Sequence, residues 1–423
     1  MKHQPYWWVA APREAPAMVD LPAETDVAIV GAGYAGLSAA LTLARAGRSV
    51  LVLDAEAAGH GGSSRSGGMV GHGHRLSYSA LIKRHGAQKA RALIREGMDS
   101  LDFTIGLIER EGIDAKFRRT GRFRGMATPA DYEANAREAD LLTREAGLPV
   151  EVIPRAEQRR EIATDLYHGG LLFPTHGGLH PALFHQGLLR VARAAGVTVA
   201  GHTAVTGLRR EGKGHEVQTA RGTVRAGEVL VATNGYTPRA LPGFARQVVA
   251  MPSFLIATER LGGNRVGALI PNGRMLVETA ASHLYFRPSP DGERILLGGR
   301  AALHPVPLEE AARRLGGHLA RVFPELSGVG LEHAWTGNVA MTRSDLASVG
   351  QRDGVWHALG CNGSGVALMP YLGHKAALRI LGDAAGATAF DDIPAAPTPF
   401  LALRPLLLRS LTWWYRAKDA LRR

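Results

Sequence analysis

The chain has 423 residues, 45% of them hydrophobic and 21% charged, which is ordinary for a globular protein and enough for two or three domains' worth of core. Its 52 glycines follow no period, which excludes a collagen-like chain and points to tight turns and close backbone approaches to a ligand. The formal charge of +12 suits an Arg-rich soluble surface or attraction of anionic substrates, membrane or nucleic acid, but there is no zinc-finger spacing, RNA-binding signature or dense Lys/Arg run, so no nucleic-acid partner is expected.

The start carries Tyr6-Trp7-Trp8 but no apolar core of signal-peptide length, and no uninterrupted apolar stretch reaches about 18 residues, so a cytoplasmic protein without membrane spans is expected. Residues 26–30 (D-V-A-I-V) read as a short buried strand and 31–36 as a glycine-rich turn. Leu37, Ala40, Leu41 and Ala44 then recur at helical spacing until Gly47 stops the helix. A second apolar strand at 50–53 ends in Asp54 and completes a βαβ opening. A loop of Gly, Ser and His spans 59–73, where His72 and His74 lack convincing metal partners and read as solvated; no metal is expected. Helices are predicted at 76–95 and 98–111, strand material at 118–128, a charged helix at 131–146 and another helix at 181–195. Strands follow at 197–200, 205–209, 216–219 and 223–226, leading into the apolar strand 228–231 and a turn. Residues 254–300 alternate like antiparallel strands, 308–322 are helical, 355–359 form a strand feeding a glycine-rich turn, and a helix covers 366–381. The turn holds the sole cysteine, Cys361, so a disulfide within the chain is excluded. The tail, 401–423, is a basic amphipathic helix that either packs on the body of the protein or lies on an anionic membrane surface.

The G-x-G-x-x-G of Gly31, Gly33 and Gly36 gains its meaning from context: a strand before it, a helix after it, and an acidic residue at the end of the next strand. Gly31 permits the tight turn, Gly33 lets backbone approach a pyrophosphate, and Gly36 lets helix pack on strand, while Tyr34 and Ala35 open the helix whose N-terminus attracts phosphate. Asp54 would accept hydrogen bonds from the adenosine ribose, with Glu56 as the alternative, and its charge argues against NADP. In the loop 61–69, small residues surround one arginine, which suits a flat ligand lying against backbone. Ser63 and Ser64 can donate to phosphate or ribitol, and Arg65 can meet a phosphate oxygen or a pyrimidine carbonyl. The later turn G-C-N-G-S-G-V at 360–366 precedes a helix whose N-terminus would stabilise an anion at a flavin's N1–C2=O edge. Two glycine-rich turns at opposite ends of the chain suit one long dinucleotide, FAD, better than NAD.

These residues resemble the glycine/D-amino-acid oxidase family of FAD-dependent oxidoreductases, and within it the branch containing gamma-glutamylputrescine oxidoreductase. The likeness runs in order through Tyr6-Trp7-Trp8, V-A-I-V-G-A-G-Y-A-G-L-S-A-A, the segment Gly62 to Gly68, A-T-N-G-Y-T at 232–237 and Ala257-Thr258-Glu259. It continues with Y-F-R at 285–287, G-G-R at 298–300, W-T-G at 335–337 and N-G-S-G-V-A at 362–367. The implied fold is α/β, a Rossmann-like FAD-binding domain (22–80, 151–250 and 335–395) interleaved with an antiparallel-sheet substrate domain (81–150 and 251–334), followed by the helix 396–423. The resemblance also implies FAD contacts from Gly67, Gly68, Met69, Val205, Thr233, Gly363, Ser364, Gly365 and Val366. It implies a substrate pocket with Tyr285, Arg300 and Trp335, joined by Glu278. Tyr285 or Trp335 could cage an ammonium; Arg300 could clamp a carboxylate, or serve a structural ion pair or the flavin. The sequence departs from the family pattern at Ser64 and Ser66, and at Ser364, where many members have His, which puts a proton relay there in doubt. With Arg65-Ser66 where a linking His would stand, noncovalent FAD is expected. The implied reaction oxidises the C–N bond of a small amine or amino acid, with oxygen or an electron carrier as acceptor. A flavin monooxygenase using NAD(P)H lacks a second nucleotide fingerprint, and a non-catalytic flavin-binding assembly factor would bind FAD without turnover.

Overall fold

The computed structural model describes residues 1–12, 18–280 and 283–398. The chain runs α1 (Tyr6–Ala10), β1 (Glu24–Val30), α2 (Tyr34–Arg45), β2 (Val50–Leu53), β3 (Met69–Val70), α3 (Tyr78–His85), α4 (Ala87–Arg110), β4 (Arg122–Gly125) and α5 (Pro129–Ala146). Next come β5 (Glu151–Ile153), β6 (Gly170–Phe173), β7 (Gly177–Gly178), α6 (Pro181–Ala194), β8 (Thr198–Ala200), β9 (Val205–Glu211), β10 (Gly214–Thr219) and β11 (Gly222–Val231). After α7 (Pro242–Ala245) follow β12 (Val249–Thr258), α8 (Gly263–Leu269), β13 (Met275–Glu278), β14 (Tyr285–Pro288), β15 (Ile295–Gly299) and α9 (Leu308–Val322). The described chain ends with β16 (Leu331–Met341), β17 (Ser348–Arg352), β18 (Val355–Leu359) and α10 (Gly365–Ile380).

The apolar run of β1 sits inside the first sheet, whose order is β17-β18-β11-β1-β2-β8, with the β9–β10 hairpin branching from β11. β1 is parallel to both β11 and β2. Val27 and Ile29 enter the core beneath α2, while Ala28 and Val30 enter a second core on the opposite face. Both faces are therefore covered, which is why this strand reads as a continuous apolar run. The second sheet has the order β16-β12-β15-β14-β13-β4-β6-β5. It is antiparallel apart from the β13–β4 pair. Phe123, Phe254, Ile256, Leu276, Phe286 and Leu297 form its core together with Leu315 and Leu319 of α9. With one face covered by α9, the period-2 alternation of the strands turns their intervening residues the other way.

Several sequence expectations shift. The break between the two helices predicted at 76–95 and 98–111 falls at Gly86, whose φ of 80° closes α3, and α4 runs unbroken through Gly97. Gly97 lies close beneath His74 instead: a Cβ there would sit 3.3 Å from His74 Nε2. β5 and β6, placed by the sequence in the cofactor segment 151–250, pair within the second sheet, as do residues 335–341 of β16. α4, placed in the substrate segment 81–150, buries Leu93, Leu101 and Ile105 in the same core as α2 and α10. Strands as short as β5 acquire their place from the ladder they join, which local sequence does not encode. The tail 401–423 lies outside the described residues. Among those that are described, no helix is long and apolar enough to cross a membrane.

α10 packs tightly along α2. The position a Cβ on Gly373 would take lies 2.0 Å from the carbonyl oxygen of Ala35, so only glycine admits this approach. Gly373→Ala should therefore destabilise the protein by about 3 kcal/mol, as overpacking of a tight contact does. The expected result is a lower urea midpoint at unchanged m.

Candidate active site

A cavity of about 880 Å³ is lined by residues from both sheets. Val30, Gly31, Leu53, Asp54, Ala232 and Thr233 bring to it the carboxyl ends of the parallel strands β1, β2 and β11, where open α/β sheets bind ligands. Gly31 has φ of 107°, and a Cβ there would lie 2.9 Å from Ala232 O. Gly33 caps α2, while Gly36 stays off the cavity and lets helix meet turn, since its Cβ would lie 1.9 Å from Gly31 O. Tyr34 and Ala35 also line the cavity. The Asp54 carboxylate accepts from Ala32 N–H at 2.8 Å and from Glu56 N–H at 3.0 Å. Burial raises its pKa, and these two hydrogen bonds oppose the rise.

The second glycine-rich loop is tied to the first: Tyr34 N–H donates to Ser63 Oγ at 3.0 Å. Ser63, Gly67 and Met69 line the cavity, as do Val205 and Gly363, Ser364, Gly365 and Val366 at the start of α10. Ser364 makes no side-chain capping bond to that helix. Cys361 is a buried free thiol on the same wall.

Three further expected residues, Ser64, Gly68 and Trp335, lie off the cavity wall, and Arg65 stays on it. Three indole N–H groups grip three consecutive loop residues: Trp8 donates to Ser64 Oγ, Trp335 to Arg65 O and Trp7 to Ser66 O, each at 2.8 Å. Ser64 is buried and donates its own proton to Gly59 O, so its hydroxyl serves the loop rather than a ligand. Arg65 borders the cavity, but its guanidinium donates to His60 O at 2.6 Å and Thr336 O at 3.1 Å and covers the Trp8 ring at 4.5 Å. Trp335 is only 1% exposed and packs with Trp7 and Leu255, which makes it core rather than a pocket wall. Gly68 lies off the cavity, where its carbonyl accepts from Leu179 N–H and Arg287. The histidines also depart from expectation. His72 is buried edge-on to His176 at 4.1 Å, and burial together with Arg122 pushes its pKa down to about 3. His74 meets Leu93 O, so neither is a solvated loop residue. No group of three or more His, Cys, Asp or Glu suited to a metal occurs among the described residues.

From the second sheet, Tyr285, Arg300 and Glu278 reach the cavity. The Tyr285 ring is slotted between two glycines: a Cβ on Gly67 or Gly298 would come within 2.9 or 2.3 Å of it. Its hydroxyl meets Ser253 Oγ at 2.9 Å, and burial pushes its pKa up to about 12 despite that hydrogen bond. Glu278 is neutralised by Arg321 at 3.1 Å and accepts from Tyr167. Arg122 and Arg124 also line the cavity, beyond the residues that the family resemblance implies. The signal was there: R-F-R in a strand puts both arginines on one face and Phe123 on the other.

Comparison with known proteins agrees with this architecture. The family model described as FAD dependent oxidoreductase (DAO) matches residues 26–379. The chain belongs to the DAO family of FAD-dependent oxidoreductases. It is 31% identical to gamma-glutamylputrescine oxidoreductase of Escherichia coli (strain K12) over 376 residues, 88% of each chain. It is 30% identical to the probable oxidoreductase OrdL of Rhizobium meliloti (strain 1021) over 415 residues, 96% of each. The crystal structure of glycine oxidase from Geobacillus kaustophilus superposes with a TM-score of 0.72 at 23% identity, covering 90% of this chain and all of that one.

The cofactor of this DAO-family chain is FAD, and the residues present suit it. Bare glycine backbone stands at the start of α2, a carboxylate at the end of β2 and the N-terminus of α10 on the same cavity. The purified protein should carry FAD that acid or heat releases from the polypeptide. Gly33→Val should purify without flavin, because its Cβ would lie 3.0 Å from Ser63 Oγ and its methyls would enter the phosphate cradle. Absorbance at flavin wavelengths of the acid supernatant, beside circular dichroism of the folded variant, checks both outcomes.

Proposed function

We propose that the protein oxidises the C–N bond of a small amine or amino acid, with oxygen as the final acceptor and hydrogen peroxide as its product. The observation that carries this reading is a single cavity shared by the dinucleotide cradle and by Tyr285, Arg300 and Glu278 of the second sheet. Relatives named for gamma-glutamylputrescine, glycine and D-amino acids support an amine-bearing substrate. Bound FAD supplies the two-electron acceptor. The substrate carbon gives up its hydrogen with the bonding pair, the nitrogen lone pair closes a C=N bond, and water hydrolyses the imine to a carbonyl and an amine. We assign Gly31, Gly33, Asp54, Ser63 and the 363–366 turn to holding FAD, and Tyr285 and Arg300 to orienting the substrate.

We assign Tyr285, Glu278 and Ser364 no proton transfer. Tyr285 stays a neutral phenol at working pH because its pKa lies at about 12. Glu278 is bound to Arg321, and Ser364 cannot relay a proton as an imidazole would. In this proposal the amine arrives neutral, so that its lone pair is free.

Anaerobic addition of amines should bleach the flavin, whereas NAD(P)H should not. Bleaching by the nicotinamide alone would mark a monooxygenase, and bleaching by neither a non-catalytic protein. With an active amine, kcat/KM should rise with pH toward the substrate's own ammonium pKa. Tyr285→Phe should leave the midpoint of that rise unmoved while lowering kcat/KM about tenfold through lost positioning. A shifted midpoint would make Tyr285 the titrating group.

A further inference from the structure

Two arginines of β4 line the cavity, and among the described residues neither has an ion-pair partner. Phe123 enters the core of the second sheet, and Arg122 and Arg124 on either side of it line the cavity. Their guanidinium carbons lie 5.1 and 5.3 Å from the centre of the Phe173 ring. Phe173 in turn stacks on His176 at 5.2 Å, and His176 meets His72. Burial and the charge of Arg122 depress the pKa of both histidines, so the layer behind the arginines is uncharged.

The carboxylates nearby are committed elsewhere. On the cavity wall Glu278 pairs with Arg321, and Asp54 accepts from the Ala32 and Glu56 N–H groups. Glu138 acts on Arg124 through space while accepting from the backbone N–H groups of Tyr78 and Ser79. Among the described residues neither Arg122 nor Arg124 forms an ion pair, and Arg122 Nε is buried with no hydrogen-bond partner. Burial, then the neighbouring Arg124, pull the Arg122 pKa down from its usual value.

Two adjacent, half-buried positive charges repel one another, and an anion that joins them relieves the repulsion. Guanidinium forks match a carboxylate in shape as well as in charge. We propose that Arg122 and Arg124 together bind a distal carboxylate of the substrate, which makes the substrate class an amino dicarboxylate or another amine that carries a carboxylate away from the reacting C–N bond. This inference rests on the C–N oxidation proposed above. It gives the β4 pair a specificity role: free polyamines, being cationic, are repelled from this end of the cavity.

The test uses the FAD-loaded protein. Calorimetric titration with glutarate and succinate, which cannot be oxidised at a C–N bond, should show binding that 1,4-diaminobutane lacks. Arg122→Met and Arg124→Met keep an unbranched apolar stem against Phe173 and should each weaken dicarboxylate binding by about 10- to 100-fold, the range for a lost charged hydrogen bond. Arg122→Lys and Arg124→Lys should recover part of the loss, and all four variants should keep their flavin. In anaerobic flavin reduction, glutamate, aspartate and iminodiacetate should outperform alanine and 1,4-diaminobutane, and the Met variants should raise KM for the acidic amines more than they lower kcat. Equal dicarboxylate affinity in wild type and both Met variants, no dicarboxylate binding at all, or equal flavin reduction by 1,4-diaminobutane and acidic amines would overturn the proposal. Arginine-dependent glutarate binding without reduction by any amine would instead overturn the C–N oxidation and leave an anion site.

Discussion

The close approach of α10 to α2 is the contact on which the site depends. Gly373 has only a hydrogen where a Cβ would collide with Ala35 O, so the two helices lie nearly backbone to backbone. One helix starts at Tyr34 and the other at Gly365, yet both N-termini border the same cavity. Each brings free N–H groups and a partial positive charge. A dinucleotide with a diphosphate at one point and a ring that becomes anionic at another is served by that pair of termini.

The loop between them is held from outside the cavity. Trp7 and Trp8 come from the first turn of the chain and Trp335 from β16, and their N–H groups bind Ser66, Ser64 and Arg65. A buried indole needs an acceptor for its single donor, and these glycine- and serine-rich residues supply it. The consequence is a division of labour within seven residues. Ser63 faces the α2 N-terminus and the cavity, while Ser64 and the Arg65 guanidinium stabilise the loop that presents it. The aromatic start of the chain is thus part of the site's support.

Charge in the cavity is distributed unevenly. Glu278 is offset by Arg321 and Asp54 by two backbone N–H groups, while Arg122 and Arg124 line the same cavity with no ion pair among the described residues. The wall formed by Tyr285, Leu255 and Gly67 is apolar apart from the phenol, whose proton is held through the working range. Such a wall orients and excludes water, while the guanidinium groups attract an anion in a low-dielectric setting where each contact counts for more than in water.

The amino-acid sequence by itself determined the βαβ opening, Asp54, α9, β18 and the turn before α10. In each case the signal is local: an apolar period, a glycine that must be glycine, or an acid at a strand end. Alternation at 254–300 pointed to antiparallel strands, and the family resemblance added the substrate domain they belong to and Tyr285 as a pocket residue. Tertiary structure decided which polar groups face the ligand. Ser63 and Ser64 are equivalent in composition, and the contacts of Ser64 with Gly59 O and the Trp8 indole, 56 residues away, and of Ser63 with Tyr34 N–H tell them apart. R-F-R declares that two arginines share a face, but which face is covered by α9 depends on the packing of a helix almost two hundred residues later. The same holds for β5 and β6, whose few residues could pair in either sheet and whose place is set by the ladder to β4. Local periodicity distinguishes two faces of an element, and long-range packing alone says which one is inside.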